Sequence, residues 1–66
     1  MASKKTTGQK LRHLRGGRSI AETAEAIGIP ASTLSMYERD ERTPRDSMKL
    51  KLAKFYKVSV ESLFFS

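Results

Sequence analysis

The sequence predicts an all-α fold, a compact five-helix domain. Apolar residues recur at intervals of three and four along five short segments, which is the spacing of one face of a helix. Residues that cap or stop helices bound each segment. No run of four or more residues alternates between apolar and polar as a half-buried strand does. We expect residues 8–66 to form a single domain, preceded by a flexible basic arm over residues 1–7.

The first two helices are predicted from the residues at their ends. The first is expected to begin at Gly8 and to end at Gly16-Gly17, because glycine is common just past a helix C-terminus. Ser19 is a good N-cap for the second helix, and Glu22 three residues later completes a capping box. Gly28 is expected to end this helix. The apolar faces consist of Leu11 and Leu14 in the first helix, and of Ile20, Ala24 and Ile27 in the second.

The remaining three helices are predicted in the same way. Pro30 suits the first turn of the third helix, expected over about residues 31–39, since proline has no N–H to lose there. Asp46 or Ser47 is expected to cap the fourth helix, and Ser59 the fifth. The apolar faces consist of Ala31, Leu34 and Tyr37 in the third helix, Met48, Leu52, Phe55 and Tyr56 in the fourth, and Val60, Leu63 and Phe64 in the fifth.

Composition excludes several classes of protein. The 66 residues include 13 Lys and Arg, 7 Asp and Glu, 1 His and no Cys, for a net charge of +6. A chain without Cys has no disulfide and no Cys-based metal site. With a single His and no paired carboxylates it also offers nothing for catalysis, so we expect no enzyme activity, cofactor or metal. The short apolar runs exclude a transmembrane span, and the first residues lack the apolar region of a signal peptide.

The charge and the second and third helices together point to nucleic acid. A basic excess favours a polyanionic partner, although it can also serve solubility alone. Ala24 is small enough for two crossing helices to approach closely, and Gly28 accepts the left-handed conformation of a tight turn. This arrangement leaves the N-terminal half of the third helix projecting from the domain. A helix of ~10 Å diameter fits the ~12 Å major groove of B-DNA.

These residues and their neighbours resemble the Cro and lambda-repressor-like helix-turn-helix regulators, also called the xenobiotic-response-element family. The resemblance extends over residues 8–65. Each matching segment alone is weak evidence for the family, but the order and spacing of the segments together are specific to it. The segments that carry it are 8–15 (GQKLRHLR), 19–29 (SIAETAEAIGI), 32–39 (STLSMYER), 42–44 (RTP) and 52–64 (LAKFYKVSVESLF).

The resemblance implies a sequence-specific, double-stranded-DNA-binding transcriptional regulator. It implies a bacterial or phage-encoded repressor in the cytoplasm, binding a palindromic operator as a homodimer. The third helix would enter the major groove, and the residues implied to face base edges are Ala31, Ser32, Thr33, Ser35 and Met36. The residues implied to contact phosphates are Arg15, Ser19, Arg39, Arg42 and Arg45. Arg15 and Glu38 also match a pair that is frequent in the family.

Several features depart from the family pattern and support an alternative. Ile20 replaces the usual Gln, Thr23 a Leu, Pro30 a Ser or Thr cap, and Asp40 a Gly, and the turn over residues 16–18 is shorter than the commonest form. Asp40 is expected to add negative charge near the DNA backbone. The alternative is a protein-interaction module that keeps the fold without binding DNA. RNA binding is not favoured, because no exposed aromatic series is evident.

Each implied contact also has a structural alternative. The small residues of the third helix could be a solvated face, and Arg42 and Arg45 could lie in a solvated loop. Arg39 and Asp40 could form a surface ion pair, worth ~0–1 kcal/mol. Arg15 and Glu38 could form a purely structural salt bridge. Phe64-Phe65 could be a dimer seam or frayed apolar residues.

Overall fold

Five α-helices make up the chain in the computed structural model, which describes residues 6–65. They are α1 (Thr7–Arg15), α2 (Ile20–Ile27), α3 (Ala31–Glu38), α4 (Asp46–Tyr56) and α5 (Val60–Phe64). The described range contains no strand, so the predicted all-α, five-helix fold is confirmed. No helix in this range is long and apolar enough to cross a membrane. The first five residues of the predicted basic arm lie outside the described residues.

The first helix starts one residue earlier than predicted. Thr6 and Thr7 were expected in the arm, but Thr6 is the N-cap and Thr7 is the first helical residue. The Thr6 hydroxyl accepts from the Gln9 N–H at 3.1 Å, and the Gln9 side chain accepts from the Thr6 N–H at 2.9 Å. This capping box satisfies amides that the helix itself cannot. The arm therefore cannot extend to Thr7.

Most other helix ends follow the predicted caps. Ser19 and Glu22 form the expected capping box of α2, Gly28 ends α2 in the left-handed conformation, and Ser59 caps α5. The prediction for α4 is wrong, because neither Asp46 nor Ser47 is its N-cap. Arg45 occupies that position without a side-chain cap, and Asp46 lies in the first turn. A carboxylate there still interacts favourably with the helix dipole.

The core forms where the helices meet. Leu11 of α1, Leu34 of α3, Leu52 of α4 and Leu63 of α5 are at most 2% exposed. The other buried apolar residues of the cluster are Ala24, Ile27 and Tyr37. Because α3 packs against both α1 and α2, the core fixes the orientation of α3 within the domain.

Candidate nucleic-acid interface

A tight turn joins α2 to α3. The Ala24 carbonyl accepts from the Gly28 N–H at 2.8 Å and from the Ile29 N–H at 3.0 Å. Gly28 has a φ of 95°, a value that residues other than glycine rarely adopt. The backbone therefore reverses within a few residues, and α3 begins immediately after Pro30, whose missing N–H costs nothing at a helix start.

The helix α3 has one buried side and one exposed side. Leu34, Tyr37 and Glu38 are buried against the rest of the domain. Ala31 and Ser32 are exposed, and the other predicted base-contact residues are partly exposed. We call the set Ala31, Ser32, Thr33, Ser35 and Met36 the exposed face of α3. The structure thus brings all five predicted base-contact residues onto the accessible part of one helix.

Arg15 and Glu38 form a bidentate ion pair beneath this face. Arg15 Nε lies 2.9 Å from Glu38 Oε2, and Arg15 Nη2 lies 3.1 Å from Oε1. The side chains are only 16% and 4% exposed. A buried carboxylate needs such a partner, since an unpaired buried charge is strongly destabilising. The hydrogen bond to Glu38 is the main reason why the pKa of Arg15 is raised above its ordinary value.

Arg15 also holds the turn before α2. Its Nη1 donates to the carbonyl of Arg18, next to the N-cap Ser19. Three of the five N–H donors of the guanidinium are thus occupied, two by Glu38 and one by Arg18. One side chain therefore connects α1, the end of α3 and the start of α2. The sequence prediction that Arg15 and Glu38 pair is confirmed.

A cleft beside this ion pair contains an arginine that sequence reasoning did not select. The cleft, of ≈ 200 Å³, is lined by Arg12, Arg15, Ile20, Ser35, Glu38 and Arg39. Arg12 is exposed and has no ion-pair partner among residues 6–65. The helical period of α1 alone shows that Arg12 points away from Leu11, but not that it points toward α3. Its position next to Ser35 makes it a candidate phosphate ligand.

The three arginines after α3 are in different environments. The alternative of a surface ion pair between Arg39 and Asp40 does not hold, because Arg39 instead lies 3.4 Å from Glu41. Both members of that pair are more than half exposed, so it is easily exchanged for another partner. Arg42 and Arg45 are exposed, and neither has an ion pair within the part of the chain described. Their charges are therefore available to an anion.

The Ser19 hydroxyl, which is predicted to contact a phosphate, already makes hydrogen bonds within α2. The Ser19 hydroxyl accepts from the Glu22 N–H at 3.0 Å and lies 3.1 Å from Glu22 Oε1. Its hydrogen-bonding capacity is therefore largely used within α2. The backbone amides at the start of α2 still present a positive dipole end, although the Glu22 carboxylate opposes an approaching phosphate.

The Asp40 carboxylate is bound to residues at the start of α1. Asp40 has a φ of 59°, and the Glu41 N–H donates to the Met36 carbonyl at 2.9 Å across it, as at a left-handed helix end. Its carboxylate accepts from the Gly8 N–H at 3.0 Å and from the Thr6 hydroxyl at 2.6 Å. The expected negative charge near a DNA backbone is thus bound to the start of α1.

A separate apolar patch lies on α4 and α5. Leu50 and Phe65 are 64% and 67% exposed, and they line a shallow groove together with Asp46, Lys49 and Val60. Lys49 Nζ lies 5.0 Å from the centre of the Phe65 ring. Phe64, in contrast, is partly buried and packs on the core. Of the two predicted seam residues, only Phe65 is therefore fully available to a partner.

Metal-binding geometry is absent from the described residues. No group of three or more His, Cys, Asp or Glu side chains in residues 6–65 is arranged to hold a metal ion. The carboxylates of Glu38, the last residue of α3, and of Asp40 are each bound by donors of the protein itself. The interface described here therefore consists of a helix face and surrounding cations.

Comparison with known proteins shows two similarities. The helix-turn-helix family model matches residues 9–63, from the first turn of α1 into α5. Over 58 residues, 85% of this chain, the sequence is 40% identical to the HTH-type transcriptional regulator ImmR of Bacillus subtilis (strain 168). The chain spans only 46% of the length of that relative.

Proposed function

Because this chain belongs to the Cro and lambda-repressor-like helix-turn-helix family, we propose that it is a sequence-specific, double-stranded-DNA-binding transcriptional regulator. The observation that carries the proposal is the orientation of α3. Leu34, Tyr37 and Glu38 face inward, whereas the hydroxyl-bearing residues are accessible. The exposed Arg12 lines the same cleft as Ser35. A helix presented in this way can enter a major groove without moving the core.

In the proposed complex, different residues supply affinity and specificity. The exposed face of α3 reads base edges, while Arg12, Arg39, Arg42 and Arg45 neutralise phosphates. Phosphate contacts give most of the affinity and make it dependent on salt, whereas base contacts distinguish one sequence from another. Arg15 contributes in two ways, since it fixes the start of α2 and keeps two N–H donors for a phosphate. Ser19 contributes mainly through the α2 dipole.

We further propose a homodimer on a palindromic operator. One recognition helix reads only a few base pairs, and two half-sites ~34 Å apart match a two-fold symmetric protein. The patch containing Leu50 and Phe65 supports this proposal, because a two-fold symmetric contact would bury these exposed apolar side chains of one copy against the same patch of the other. The family resemblance makes repression in a bacterial cytoplasm the proposed biological role.

Selection of bound duplexes from a random pool tests this function. We expect enrichment of a palindrome whose half-sites are separated by about one helical turn. Binding of the enriched duplex should weaken linearly with salt on logarithmic axes. Absence of an enriched sequence, together with a flat salt dependence, would contradict the proposal.

The second candidate function is a protein-interaction module. The exposed Leu50 and Phe65 favour it, since large apolar side chains grouped on a surface often mark a partner site. This function predicts no binding to any duplex at low salt, and protection of Phe65 by a different protein. The duplex selection therefore separates the two functions.

A further inference from the structure

The exposed face of α3 carries few kinds of chemical group. The only charged side chain of α3 is Glu38. It is 4% exposed, and both of its carboxylate oxygens are held by Arg15. The accessible residues offer three hydroxyl groups, from Ser32, Thr33 and Ser35, and otherwise methyl groups. No guanidinium, amide or ammonium group projects from the exposed face.

A face with only hydroxyl and methyl groups cannot form the paired hydrogen bonds by which side chains distinguish bases most strongly. Guanine is read by two hydrogen bonds from Arg or Lys, and adenine by two from Asn or Gln. Arg39 follows the helix, where it lies 3.4 Å from Glu41 and its Nε donates to the Ser35 carbonyl. A hydroxyl forms single hydrogen bonds as donor or acceptor, so it distinguishes bases poorly. The remaining feature of the major groove that these side chains can recognise is the methyl group of thymine.

We propose that α3 identifies its half-site chiefly through thymine methyl groups contacted by Ala31 and Met36. This inference rests on the proposed function and specifies the sequences that the same surface binds. The Ala31 methyl is exposed at the start of α3, and Met36 is partly exposed five residues later. Five residues correspond to about 7.5 Å along the helix axis and about 140° around it. Ala31 and Met36 therefore lie at the two sides of the exposed face and should contact the methyl groups of two different thymines in each half-site.

The test uses duplexes obtained by the random-pool selection, resynthesised with deoxyuridine in place of thymidine. Uracil keeps every hydrogen-bonding group of thymine and lacks only the methyl. We expect about fourfold weaker binding for each contacted methyl removed, the value that burial of one such group implies. Replacing purines with their 7-deaza analogues, which lack the N7 acceptor, should change binding less than twofold.

Variants of Met36 test the protein side. Met36→Ala keeps a helix-forming residue but cannot reach the methyl, so it should bind the thymine and uracil duplexes equally well at that position. Met36→Leu should retain the preference for thymine. Helical circular dichroism and an unchanged unfolding midpoint show that both variants are folded.

Two outcomes would overturn the inference. If the parent duplex is bound and its uracil form binds within twofold, α3 does not read thymine methyls, and only this inference fails. If loss of purine N7 weakens binding tenfold instead, the hydroxyl groups are the main readers. Absence of binding to any duplex would overturn both the inference and the proposed function.

Discussion

The carboxylate of Asp40, at the end of α3, accepts a hydrogen bond from the Gly8 N–H at the start of α1 over 3.0 Å. The two residues are 32 positions apart in the sequence. Gly8 allows this approach, because a Cβ at that position would lie 2.4 Å from the Glu38 carbonyl oxygen. The C-terminal end of the helix proposed to read DNA is thus held by two non-local contacts, one through Asp40 and one through Glu38 with Arg15.

Two replacements of Asp40 should distinguish the contribution of its hydrogen bonds to stability from that of its backbone conformation. Asp40→Ala loses the bonds to Gly8 and Thr6 and keeps a Cβ at a φ of 59°, without the polar side chain that makes this backbone conformation tolerable for Asp, so we expect about 2 kcal/mol less stability. Asp40→Gly loses the same bonds but relaxes the backbone, and should lose about 1 kcal/mol. Urea unfolding measures the free energy of unfolding of both variants. Equal stability of Asp40→Ala and the parent would refute the structural role of the carboxylate.

Substitution at Gly8 should be much more costly than at Gly17. Gly8→Ala forces apart the backbones of α1 and α3, which we expect to cost about 2 kcal/mol. A Cβ at Gly17 meets nothing within 4 Å and requires no left-handed backbone, so Gly17→Ala should be neutral or slightly stabilising. Thermal unfolding compares the two, since 1 kcal/mol shifts the midpoint of a domain this small by about 4–8 °C. Similar midpoints for both variants would show that α1 and α3 do not meet so closely.

Loss of the Arg15 charge should affect both folding and DNA binding. Arg15→Met leaves the buried Glu38 unpaired, and we expect about 2–3 kcal/mol lower stability. Arg15→Met combined with Glu38→Met should recover most of that loss, because no charge is then buried alone. If Arg15 also contacts a phosphate, the salt slope of duplex binding should fall by about 0.9 in the double variant. An unchanged slope would restrict Arg15 to a structural role.

Ser32 and Arg42 should affect binding in different ways. Ser32→Ala removes one exposed hydroxyl of α3 and should change the preference among bases at one position, with little effect on the salt slope. Arg42→Ala removes an unpaired cation and should weaken all duplexes similarly, reducing the slope by about 0.9. Ser47→Ala, on the exposed side of α4, is the matched control. Identical behaviour of the first two variants would contradict this division of roles.

Local signals explain what could be predicted from the sequence. Ser19 with Glu22, Gly28 and Ser59 act on backbone groups a few residues away, so their spacing alone indicates the helix ends. The accessible residues of α3 follow from the helical period once Leu34 and Tyr37 are assigned to the core. The spacing of Thr6 and Gln9 is a local signal of the same kind, but the assignment of Thr6 to the arm left their capping box unpredicted.

Non-local contacts explain what could not be predicted. That Asp40 binds the start of α1, and that Arg12 lies beside Ser35, depends on how α1 and α3 cross. Periodicity identifies a buried face but not the helix that covers it. Thr23, which stands where the family usually has Leu, is a related case: the structure shows it 1% exposed, with a hydroxyl that has no partner in residues 6–65.

The proposed function requires that the exposed face of α3 enters the duplex. Because the chain has no Cys, a Ser32→Cys variant carries a single thiol, to which a DNA-cleaving iron chelate can be attached. Ser47→Cys is the control, exposed on α4. We predict that the probe at position 32 cuts the selected duplex inside each half-site, with the strand offset of the major groove, and that the probe at position 47 does not. Cutting from position 47 with none from position 32, on a duplex that both variants bind, would show that α3 does not enter the major groove.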